Sequence, residues 1–75
     1  MRPELLVCRV FGLEPASVDD ATSNHTLAQW TSLAHVNLVL AMESAYGVRL
    51  TIAVALEATS VGGIKRVLGR LGVRW

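Results

Sequence analysis

The chain has 75 residues, enough for one domain and not two, and a domain of this size buries only about 60% of its unfolded surface. Hydrophobic residues make up 52% and aromatics only 5%, so the core is expected to be small and aliphatic, which favours a helical bundle over a sandwich or barrel. A formal net charge of +1 supplies no strong field for nucleic acid or a membrane surface.

Met1 to Gly12 (MRPELLVCRVFG) predicts a first helix over about residues 3–11. Pro3 suits the first helical turn, Glu4 favours the positive end of the dipole, and Gly12 suits the position after the last turn. Leu6, Val7, Val10 and Phe11 form its apolar stripe. Cys8, the lone cysteine, falls in an apolar run and reads as a small buried hydrophobe rather than a reactive thiol. Leu13 to Gln29 (LEPASVDDATSNHTLAQ) is a long loop rich in turn and cap formers, with Leu13, Val18 and Leu27 spaced to pin it to the bundle. Loops this long in small domains are uncommon and often functional.

Trp30 to Gly47 (WTSLAHVNLVLAMESAYG) carries the longest helix pattern, predicted over 32–46. Thr31 and Ser32 both sit where an N-cap belongs, and Gly47 sits where a helix ends. At about 100° per residue, Leu38, Val39, Met42, Ala45 and Tyr46 gather on the core face. Leu33, Asn37, Leu40 and Ser44 gather on the opposite face, with Val36 and Glu43 at its edge. Two leucines pointing away from the core, beside a serine at a helix start, need an explanation. Thr51 then precedes Ile52 to Ala58, which reads either as a short helix over 52–57 or as an irregular turn. Thr59 or Ser60 caps a last helix, predicted over 61–71, with Val61, Ile64, Val67, Leu68 and Leu71 as its stripe. Lys65, Arg66 and Arg70 lie outside that stripe, and Gly62-Gly63 suggests close helix packing.

No secretory h-region and no apolar run near the roughly 18 residues of a membrane span is present, so a cytoplasmic protein without membrane insertion is expected. Asn24-His25-Thr26 matches a glycosylation acceptor by accident on that reading. His25, His35 and Cys8 lack the paired spacing of a zinc site, so no metal is expected. A Ser32–His35–Asp19 hydrolytic triad lacks an oxyanion hole in so small a chain, and no catalytic residue is assigned. Lys65, Arg66, Arg70 and Arg74 form the one cationic cluster. A small interaction or nucleic-acid-binding module is therefore the competing class.

A serine at a helix start ordinarily caps it, worth about 1 kcal/mol, and residue statistics favour that role for Ser32. Its setting argues for more: it ends a long loop, Trp30 and Leu33 flank it, and Leu40 lies on the same outward side. A phosphate attached there would meet the free N–H groups and the positive end of the dipole.

The stretch WTSLAHVNLVLAMESAYGVRL resembles the attachment-site region of acyl carrier proteins and related peptidyl carriers. The resemblance covers nearly the whole chain. Val10-Phe11-Gly12-Leu13 is similar to the end of the family's first helix, Ser17-Val18-Asp19-Asp20 to the start of its long loop, and Thr59-Ser60-Val61 to the opening of its last helix. It implies a bundle of three longer helices and one short one, with Ser32 carrying a covalent 4′-phosphopantetheine arm derived from coenzyme A. It also implies a stand-alone monomeric carrier over residues 1–75, not itself an enzyme. Such a carrier holds acyl or aminoacyl groups as thioesters for a specialised lipid, fatty-acid, polyketide or peptide pathway. Its partners would be a phosphopantetheinyl transferase and the enzymes that load and condense the cargo. Thr31, Leu33, Val36, Asn37, Leu40 and Glu43 would contact them, and the aliphatic core could open to sequester a chain. The family's aspartate before the serine is Thr31 here, which predicts slower arm attachment; Glu43 is nearly alone among the acids usual on the second helix, and Ile52 to Ala58 lacks the family's usual acidic pattern.

Overall fold

Each helix starts where the sequence places an oxygen that can accept from its free N–H groups or a proline that needs none. Pro3 opens α1 (Pro3–Phe11), Thr31 Oγ1 accepts from Ala34 N–H at the start of α2 (Ser32–Tyr46), and Thr51 Oγ1 accepts from Val54 N–H at the start of α3 (Ile52–Glu57). Ser60, not Thr59, caps α4 (Val61–Arg70) by accepting from Gly63 N–H. The computed structural model describes residues 1–75 and contains no strand, so the chain is the small all-α bundle expected, with three longer helices, one short one and a long first loop.

The core lies between α1, α2 and α4. Leu6 and Val7 of α1, Leu38 and Met42 of α2, and Val61, Ile64, Val67 and Leu68 of α4 are all but inaccessible, and Cys8 is buried beside them. Burial, with Glu14 adding to it, pushes the Cys8 thiol up, in keeping with an inert packing residue. Trp30 corrects the expectation of a purely aliphatic centre. It is only 4% exposed and stacks at a tilt on Phe11, with ring centroids 5.3 Å apart. It belongs to the floor beneath Ser32 and not to an exposed apolar surround.

Two further positions depart from the helical wheel. Ala45 is exposed, and the last turn of α2 is tied instead by Tyr46, whose hydroxyl donates to the Met1 carbonyl. Leu71 is exposed because α4 stops at Arg70: Gly72 turns into the left-handed region (φ 78°) and sends Val73 N–H back to the Leu68 carbonyl. Val73 then packs on the core where Leu71 was expected.

The long loop is structured by what it caps. Asp20 and Thr22 carbonyls accept from Gly62 and Val61 N–H, and Asn24 N–H donates to the Thr59 carbonyl. The loop thus satisfies the first free donors of α4, while Leu13, Val18 and Leu27 pack against the core as their spacing predicts. That clasp fixes the end of the loop beside the start of α2. By contrast α3 buries no residue fully; it rests on α4 and is attached to α2 through one side chain described below.

Candidate phosphopantetheine site

Thr31 and Ser32 are adjacent and both able to cap, and the geometry divides the work between them. Thr31 takes the N-cap, so Ser32 falls at the first helical position, exposed, with a hydroxyl that makes no hydrogen bond. The capping role favoured for Ser32 by residue statistics belongs to its neighbour. Thr31 also supplies the carbonyl for His35 N–H, and the Ser32 and Leu33 N–H groups of the first turn have no intrahelical partner. No acidic residue sits in this first turn. A phosphodiester on Ser32 would therefore meet two open donors and the positive end of a 15-residue helix, a gain of about 0.3–1 kcal/mol at an exposed site.

Beside Ser32 lies an open cleft of about 440 Å³, walled by Asn24 and Thr59 from the loops, the N-cap Thr31, His35 and Val36 from α2, and Leu56 from α3, with Trp30 at its base. One side chain holds those walls together. Trp30 Nε1–H donates to His35 Nδ1 (2.9 Å), and His35 Nε2 meets the Ala55 carbonyl (2.8 Å). An indole nitrogen only donates, so Nδ1 is the acceptor and Nε2 carries the proton. The neutral imidazole bridges the loop, α2 and α3, stacked on Trp30 at 6.1 Å between centroids. Both ring nitrogens are engaged. Asp19 meanwhile accepts from Ala21 and Thr22 in its own turn, so Ser32, His35 and Asp19 form no triad.

The other residues singled out by spacing lie along one side. Leu33, Val36, Asn37 and Leu40 are exposed on α2, and Thr31 is exposed before it. Glu43 is partly buried, and its Oε2 accepts from Leu50 N–H (2.8 Å), which stitches the turn between α2 and α3. Two residues that periodicity missed complete the surface: Ile52 and Leu56 of α3, 83% and 66% exposed. Together α2 and α3 frame an apolar groove of about 260 Å³ lined by Val36, Val39, Leu40, Leu50, Ile52 and Leu56. The cationic cluster is partly neutralised, with Lys65 held between Glu4 (3.0 Å) and Asp20 (2.7 Å) and Arg70 paired with Glu57 (3.0 Å). No helix is long and apolar enough to cross a membrane, and no cluster of metal-ligating side chains occurs.

The family model of the phosphopantetheine attachment site matches residues 5–68. The chain belongs to that family. It is a carrier domain, the class that bears a covalent 4′-phosphopantetheine group and works with phosphopantetheinyl transferases and acyl-handling enzymes. The matched span runs from α1 to the buried Leu68 of α4 and takes in the carrier's whole core. No curated protein matches the carrier significantly. Its open helix start, free serine hydroxyl and adjoining cleft are compatible with the group the family carries.

Proposed function

We propose that this protein is a stand-alone acyl or aminoacyl carrier whose attachment residue is Ser32, serving a specialised lipid, polyketide or peptide pathway. The observation that carries the assignment is the division of labour at α2: Thr31 caps the helix, so the Ser32 hydroxyl stands free in front of two open N–H groups. In arm attachment the Ser32 Oγ–phosphorus bond forms as the pyrophosphate bond of coenzyme A breaks. The adenosine bisphosphate leaves, and the hydroxyl proton passes to a base of the transferase. The bound group supplies a thiol that holds the cargo as a thioester at high effective concentration near each enzyme. The chain's own residues do the rest. The Ser32 and Leu33 N–H groups at the start of α2 would hold the phosphodiester, His35 fixes the cleft wall, and Leu33, Val36 and Leu40 would meet the visiting enzymes.

Incubation with coenzyme A, magnesium and a broad-specificity phosphopantetheinyl transferase, followed by intact-mass measurement, tests this reading. A gain of one phosphopantetheinyl group in the native protein and none in Ser32→Ala is expected. Modification that persists in Ser32→Ala, or none in the native protein with any transferase, would overturn it.

A further inference from the structure

The two partners of His35 each demand a particular proton state of its ring. Trp30 Nε1–H points at Nδ1 from 2.9 Å, and Nε2 faces the Ala55 carbonyl at 2.8 Å. An indole nitrogen only donates and a carbonyl only accepts. The neutral ring protonated at Nε2 satisfies both, and the other tautomer satisfies neither. The imidazolium keeps the carbonyl but sets an Nδ1–H against the indole N–H. Trp30 is only 4% exposed, so an indole donor that loses Nδ1 is left buried without an acceptor, which is costly. No nearby charge offsets that loss. The cleft beside Ser32 and the groove between α2 and α3, the two spaces the ring borders, are lined by no other ionisable side chain. On the elements around the ring, Glu43 of α2 accepts from Leu50 N–H and Glu57 of α3 pairs with Arg70. In the long loop Asp19 accepts within its own turn, Asp20 holds Lys65 and His25 is exposed, while Arg49 is exposed in the turn after α2.

We infer that His35 is a pH-operated latch: neutral, it clamps the end of the long loop to α2 and α3, and protonated, it releases Trp30 and loosens the base of the cleft beside Ser32. The release falls on the Trp30 side, because an Nε2–H suits the Ala55 carbonyl in both states and a charged ring donates more strongly. The freed indole lies at the base of an open cleft, where water can replace Nδ1 as its acceptor. The helix start is untouched by this exchange. Thr31 Oγ1 still accepts from Ala34 N–H and the Thr31 carbonyl from His35 N–H, and neither bond involves the imidazole. Trp30 N–H likewise keeps the Leu27 carbonyl (3.0 Å). What changes is the floor next to the serine, while the helices stay in place. The latch needs no group on Ser32, so it stands or falls separately from the attachment reading.

The test is nitrogen NMR on the whole unmodified chain. The two ring nitrogens of His35 and the indole N–H of Trp30 are followed from about pH 8 to about pH 5, the range in which imidazoles ordinarily change charge. At the upper end Nδ1 is expected bare and Nε2 protonated. As Nδ1 gains its proton, protection of the Trp30 indole N–H from solvent exchange, corrected for the intrinsic effect of pH, should fall by about tenfold or more. Both signals should follow one single-proton curve, with helical circular dichroism unchanged. His25→Gln should leave that curve in place. His35→Gln, whose amide offers an acceptor and a donor but does not titrate, should keep the protection seen at pH 8 and abolish the fall. A proton on Nδ1 at pH 8, a ring that stays neutral until the helices melt, or a fall that survives His35→Gln overturns the latch. Should His35→Gln not fold, the native chain decides. Coincident curves for Nδ1 and the indole support the latch, and a protonated ring with indole protection intact overturns it.

Discussion

Thr31 is a threonine doing a structural task where the carriers this chain resembles place an acid before the serine. As an N-cap, aspartate is as good as threonine or better, and its charge suits the helix start. Thr31→Asp is therefore expected to keep the melting temperature and to raise the rate of transferase-catalysed modification severalfold. Equal or slower modification, read by mass against time, would show that this position does not limit attachment. Thr31 and Ser32 also mark where sequence reasoning stopped. Two neighbouring hydroxyl residues can both cap, serine being if anything the better, and only the register of the first turn decides which one is left free. Trp30 and His35 were opaque for another reason. Their spacing of five crosses the junction between loop and helix, where no period applies, and the low aromatic content pointed away from a tryptophan at the centre.

At the level of the helix, α4 offers a contrast between two glycines. A Cβ at Gly63 would sit 2.5 Å from the Glu57 carbonyl oxygen and 3.1 Å from the capping Ser60 Oγ, whereas one at Gly69 would meet nothing within 4 Å. Gly63→Ala is expected to destabilise the fold by about 1–3 kcal/mol through overpacking against backbone. Gly69→Ala should stabilise it by about 0.5–1 kcal/mol by restricting the unfolded chain and favouring helix. Paired thermal or urea melts give both signs, and the same sign for both would refute the packing account. The helices themselves were legible because aliphatic periodicity, caps and terminal glycines agreed over α1, α2 and most of α4. The end of α4 was not, because Leu71 continues the period that Gly72 interrupts. Nor was the outer face of α3: six residues are too few for a period to tell inside from outside, so Ile52 and Leu56 went unassigned.

Across the whole molecule, the first helix, the long loop and the last helix meet at Lys65, which donates to Glu4 and Asp20. Burial pulls the Glu4 carboxyl upward, but its own backbone N–H, Lys65 and Arg2 outweigh that and hold it below its ordinary value. The folded state thus binds this proton more weakly than the unfolded chain. The stability linked to Glu4 is fully present above the unfolded carboxyl's range and is lost as pH falls through the lowered folded value. For Lys65, the hydrogen bonds to Asp20 and then Glu4 raise the ammonium. Its linked stability is present below the ordinary lysine range and lost as pH rises through the folded value. Melting temperatures measured from neutral pH into the acid range should fall less steeply in Lys65→Met than in the native protein. Parallel curves would show that this junction contributes nothing to acid sensitivity. The overall architecture could be read in advance because the resemblance spans loop and helices together. The junction could not, since it joins residues 61 positions apart in the chain.

The indole beneath Ser32 gives the molecule a built-in optical probe. Of its two tryptophans, Trp30 lies in the core with its N–H held by His35, and Trp75 stands substantially exposed. Their emission is separated by environment, the buried indole to the blue and the exposed one to the red. A carrier lacking Trp75 would report through Trp30 alone, an indole set in the core that also lines the cleft beside Ser32.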